Sequence, residues 1–86
     1  MGHGDLVLKA SIIVTLKQGL LDPQGKAIEG ALKLLDIPGV ESVRQGKIFE
    51  IELAEQDRAK AQDLLKTACE KLLANTIVEN YRIELA

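Results

Sequence analysis

With 86 residues, 47% of them hydrophobic and 28% charged, the chain has the balance of one folded globular domain, which excludes a disordered tail. A net charge of −2, with Lys and Arg scattered among Asp and Glu, excludes a basic face for nucleic acid, and a single cysteine excludes an internal disulfide or a multi-cysteine zinc site. No apolar run approaches the ~20 residues of a membrane span, and the opening residues lack the charged-then-apolar order of a signal peptide. The chain therefore reads as cytoplasmic, with neither membrane nor nucleic acid among its partners.

Residues 1–5 carry no pattern and read as a disordered lead, leaving 6–86 as one domain. From Leu6 to Leu16 every even position is apolar, with Lys9, Ser11, Thr15 and Lys17 between them, the period of a half-buried strand. Asp22-Pro23 then starts a helix, Asp as N-cap and Pro at the first helical position, where its missing N–H is not needed. That helix is expected to run to about Leu35 and to face the core with Ala27, Ile28, Ala31, Leu32 and Leu35. Gly25 and Gly30 weaken it by about 1 kcal/mol each relative to Ala, so close approach of another backbone or chain is expected to explain them.

Asp36-Ile37-Pro38-Gly39 ends the helix, and Val40 to Leu53 reads as extended, interrupted at Gly46-Lys47 by a turn or a bulge, with the hairpin favoured. Glu55 to Leu73 is helical again, with Ala61, Leu64, Leu65, Ala68, Cys69 and Leu72 on the side expected to be buried. Asn75 is expected in the left-handed C-terminal position, and Ile77, Tyr81, Ile83 and Leu85 alternate along a last strand. The fold class is thus α+β, β-α-β(β)-α-β, a two-layer sandwich with two helices on one face of an antiparallel sheet, ferredoxin-like or a variant. Val7, Ile13, Ile48 and Val78 leave the opposite face partly apolar. With Phe49 and Tyr81 the only aromatics, the core is small, which favours covering that face with another chain.

Candidate chemistry is sparse. No Cys-x-x-Cys is present and His3 stands alone, so no metal site is expected; Cys69 lies on an apolar stripe and reads as a buried, inert thiol. Gly25-Lys26 and Gly46-Lys47 lack the second glycine and the Ser or Thr of a phosphate loop, so no nucleotide or other cofactor is expected on this chain. Arg44, Lys47 and Lys17 form a small basic cluster if their strands pair. No catalytic residue is identified.

Three strings nevertheless stand at the joints: Leu21-Asp22-Pro23-Gln24-Gly25, Val43-Arg44-Gln45-Gly46-Lys47, and Cys69 to Thr76 followed by Glu79-Asn80-Tyr81-Arg82. In combination and order, after a strand ending Leu16-Lys17, they resemble the PurS family, the small subunit of phosphoribosylformylglycinamidine synthase. The resemblance spans about Val7 to Leu85. It implies a role in purine synthesis, where formylglycinamide ribonucleotide, glutamine and ATP give formylglycinamidine ribonucleotide, glutamate, ADP and phosphate. It also implies a division of labour. A large synthetase subunit binds ATP and the ribonucleotide, the complex using magnesium, a glutaminase subunit releases ammonia, and the small subunit joins them and assists ammonia transfer as a homodimer or tetramer. Partner contact is then expected at Lys17, Arg44, Lys47 and Asn75, while Asp22, Pro23, Gly25 and Gly46 match the same strings and either set the backbone or touch a partner. A ligand-binding regulatory module of the ACT type shares the element order, but Gly19 is followed by apolar Leu20-Leu21 rather than by a ligand-receiving turn. A purely structural dimerisation domain is a third reading.

Overall fold

The computed structural model describes residues 7–86; the expected lead and Leu6 lie outside them. Strand β1 (Leu8–Leu16) is central and pairs antiparallel with β2 (Gly46–Leu53) on one side and β3 (Glu79–Leu85) on the other, so the sheet order is β2-β1-β3. Helix α1 (Pro23–Leu34) joins the first two strands, and α2 (Arg58–Ala68) precedes the third. The α+β class and the element order are those the alternation and capping signals indicate.

The core forms where the even positions of β1 meet α2. Ile12 and Val14 are sealed from solvent against Leu65 and Cys69, with Phe49, Ile51, Tyr81 and Ile83 packed around them. Asp57 caps α2, its carboxylate accepting from the amides of Ala59 at 3.0 Å and Lys60 at 3.3 Å. The helix then widens into one π turn, Cys69–Leu73, closed by the Ala74 amide on the Cys69 carbonyl. That extra residue rotates the stripe. Leu72 turns out to 82% exposure and the buried row continues through Leu73 and Ala74, so the expected burial of Leu72, like that of Leu64, is corrected. The Tyr81 hydroxyl donates to Glu70 at 2.9 Å and ties the π turn to β3.

Three further expectations are corrected. There is no hairpin at Gly46-Lys47. Residues 40–45 form no strand, because the Val43 and Gln45 amides donate to the side chains of Glu29 and Asp22 instead of to a neighbouring strand. Asn75 is not left-handed; its side-chain oxygen accepts from the Ile77 amide at 3.2 Å, closing a turn that leaves Ile77 outside β3 and 83% exposed.

The α1 stripe, finally, does not face this chain's core. Only Gly25 of the helix is buried, while Ala27, Ile28, Ala31 and Leu35 are exposed. The helix is nonetheless well terminated: Asp36 takes φ 58°, and the Asp36 and Ile37 amides return to the Lys33 and Leu32 carbonyls as a Schellman motif. Because Thr15 pairs with Gly46, α1 and the returning segment leave and re-enter the sheet at the same end and so form an arm. The open sheet face carries Lys9, Glu50, Glu52, Arg82 and Glu84 around an Ile13–Ile48 cross-strand pair.

Candidate functional site

Antiparallel pairing brings the end of β1 beside the starts of β2 and β3, and every one of the three strings reaches that end. At the close of β1 the Lys17 amide donates to the Val78 carbonyl at 2.9 Å and its ammonium to the Asn80 amide oxygen at 3.1 Å. The Arg44 guanidinium donates to the Leu16 carbonyl. Gly46 lies where a Cβ would run into the Val14 carbonyl, so the entry to β2 requires a glycine.

On the helix side of the sheet, Val14 pairs with Lys47 and Leu16 with Glu79. The Lys47 ammonium stands 3.9 Å from Glu79 and 5.8 Å from the centre of the Phe49 ring, within cation–π range. The other oxygen of Glu79 accepts the Asn75 amide at 2.7 Å. Lys47, Glu79 and Asn75 therefore form one connected group.

The arm is hinged to the same place. Asp22 caps α1 through the Gly25 amide at 2.9 Å and also accepts the Gln45 amide at 2.9 Å, while the Gln45 and Gln24 side chains bond to each other. These amides, Gln45 first, hold the Asp22 carboxyl below its ordinary pKa. Glu29 is likewise lowered, chiefly by the Val43 amide it accepts at 2.8 Å. Gly25 is required because a Cβ there would strike the Val43 carbonyl, which meets the expectation of a close backbone approach. Gly30 has nothing within 4 Å of such a Cβ.

Lys17, Asp22, Pro23, Gly25, Arg44, Gly46, Lys47 and Asn75 thus gather at one end of the sheet, where Asp22, Pro23, Gly46 and Lys47 line a shallow cleft with Val14 and Leu16. Glu79, Asn80, Gln24 and Gln45 complete the group. Each stands inside one of the three strings, but nothing in its residue type marks it as part of the site before the strands are paired. Among the described residues no group of three His, Cys, Asp or Glu side chains is placed to hold a metal ion, and no buried side-chain polar atom lacks a partner. Burial raises the Cys69 thiol above its ordinary pKa, with the Glu70 charge adding to the effect, so it stays protonated. A wider hollow at the opposite end of the sheet is lined by Lys9, Ser11, Glu50, Glu52 and Glu84, with Ser11 paired in register with Glu50 on one side and Glu84 on the other.

One antiparallel three-stranded sheet in the order β-α-β-α-β, with its polar motifs gathered at one strand end, defines a small α+β domain. The PurS family profile, described as phosphoribosylformylglycinamidine (FGAM) synthase, matches residues 9–86. The phosphoribosylformylglycinamidine synthase subunit PurS of Bacillus subtilis is 44% identical over 90% of this chain and 90% of its own length, and that of Synechocystis is 46% identical over 86% and 74%. A chain of the PurLQS structure from Thermotoga maritima superposes with a TM-score of 0.86 at 33% identity, covering 93% of this chain and 98% of that one. The chain belongs to the PurS family, and it is a subunit type of FGAM synthase, a ligase complex of purine biosynthesis.

Proposed function

We propose that this chain is the coupling subunit of the synthase, without an active site of its own, bridging the glutaminase and the large synthetase and assisting the passage of ammonia between them. The observation that carries the reading is the convergence of Lys17, Arg44, Lys47 and Asn75 at one sheet end. Polar side chains that fix strand ends, with no nucleophile and base among them, suit a surface that holds other chains in register. ATP and magnesium act on the synthetase in this reading, and the chain binds neither. It works in the cytoplasm as a homodimer or tetramer, and the open face around Ile13 and Ile48 is covered by another chain.

The test is turnover by the synthetase and glutaminase with and without this protein, driven by glutamine or by added ammonia. The expected result is that only the glutamine-driven reaction requires it. An equal requirement in both reactions, or in neither, rejects the coupling role.

A further inference from the structure

Strand β3 is an edge of the sheet, and among the described residues no strand pairs with its outer side. The bonds at the two ends of its ladder, from the Lys17 amide to the Val78 carbonyl and from the Ala86 amide to the Lys9 carbonyl, place the even-numbered residues of β3 in hydrogen-bonded pairs with β1. The amides and carbonyls of Tyr81, Ile83 and Leu85 therefore point away from β1, toward the open edge. The side chains of the same three residues are half-buried and wall a groove against α2. The groove divides into two hollows, one between Tyr81 and Ile83 beside Gln62 and Lys66, the next between Ile83 and Leu85 beside Gln62 and Arg58. They share Ile83 and so follow one another at the two-residue repeat of a strand, about 7 Å. Main-chain groups on an open edge, beside side-chain hollows at strand spacing, are what a sheet needs to take up a further extended segment.

We infer that in the synthase the β3 edge takes an extended segment of another subunit as a fourth strand, with two apolar side chains two positions apart seated in the hollows and carboxylates flanking them. Charge selects the occupant. Arg58 and Lys66 stand at the two ends of the groove with Asp63 between them, two cations to one carboxylate. Arg58 gives one N–H to the Ala86 carbonyl at 2.8 Å, and among the described residues neither cation forms an ion pair with a side-chain carboxylate. Antiparallel pairing of two copies along this edge, centred on Ile83, would set Arg58 of one against Lys66 of the other. Like charges across a seam are destabilising, so the occupant is a chain of different sequence. The inference rests on the coupling role, since it requires a second kind of subunit to supply the strand.

The test reads amide exchange residue by residue, by mass spectrometry with electron-transfer fragmentation, in this protein alone and in the complex reconstituted with the synthetase and the glutaminase. The Tyr81, Ile83 and Leu85 amides are expected to exchange about 100-fold more slowly in the complex, while Arg82 and Glu84, already bonded to β1, change little. A complex that forms with those three amides exchanging as they do in the protein alone overturns the inference and leaves the coupling role standing; failure to form any complex overturns both. Slow exchange at the three amides in the protein alone means that a second copy holds the edge, and overturns it too. In parallel, Arg58→Glu combined with Lys66→Glu is expected to weaken assembly by about 10-fold in analytical ultracentrifugation, with an unchanged circular dichroism spectrum because both side chains are exposed. Assembly as strong as the parent's overturns the inference as well.

Discussion

The Lys47 ammonium reaches across the central strand to Glu79, 3.9 Å away, because Val14 and Leu16 hold β2 and β3 in a register that sets both side chains on the helix side of the sheet. Lys47 keeps 54% side-chain exposure against 19% for Glu79, and with its cation in solvent the pair contributes about 1 kcal/mol or less to folding. Its position at the shared strand end points outward from this chain.

Lys47→Glu and Arg44→Glu are expected to leave the fold intact and to weaken assembly with the synthetase and glutaminase, as read by analytical ultracentrifugation. Lys47→Glu combined with Glu79→Lys separates two roles. If Lys47 served only Glu79, the swapped pair would restore assembly; contact with a partner predicts that it does not.

Asp22 makes the hinge of the arm sensitive to acid. Its carboxyl is held below the ordinary value of 3.8 by the Gln45 and Gly25 amides, so its contribution is complete above about pH 4 and is lost as the pH falls through the lower native value. Amide exchange at Gly25 and Gln45 is expected to accelerate relative to the sheet amides over that window. Asp22→Asn should exchange fast at both positions at neutral pH and show little further acid response.

Two glycines of one helix should respond oppositely to the same substitution. Gly25→Ala drives a Cβ into the Val43 carbonyl and is expected to destabilise by about 1–3 kcal/mol. Gly30→Ala enters open space and is expected to stabilise α1 by about 1 kcal/mol. Thermal and chemical denaturation followed by circular dichroism distinguishes the two; equal effects would contradict the close approach at Gly25.

The π turn sets a third contrast. Leu65→Ala removes a sealed core side chain and is expected to lose about 2–5 kcal/mol in equilibrium denaturation. Leu72→Ala, on the exposed side of the turn, should change stability by less than about 0.5 kcal/mol. A large loss at Leu72 would place it back on the buried stripe.

Much of this was legible from local chemistry. Alternation along β1 identified the face that holds Ile12 and Val14, Asp22-Pro23 announced the start of α1, and Gly25 signalled a tight approach. Other features depend on contacts that periodicity does not encode. An apolar stripe tells that a helix is to be covered, not by what, so periodicity alone points the α1 residues at this chain's core, where the structure does not put them. The path of residues 40–45 is set by Glu29 and Asp22, far away in sequence, and the π turn at Cys69 leaves no mark in residue type. The convergence at the strand end was visible only as three separate strings, because it takes the register of all three strands to unite them.

The placement of β1 between its two neighbours also orders events during synthesis. Its first partner, β2, emerges soon after it, but the residues that pair with its other edge follow 63 (Leu16 to Glu79) to 75 (Ala10 to Leu85) positions later. Until Glu79 to Leu85 leave the ribosome, one edge of the strand bearing Ile12 and Val14 is open to any extended segment nearby. A product that stops short of Glu79 keeps that edge permanently, which makes premature termination late in this small chain a source of aggregation rather than of a harmless fragment.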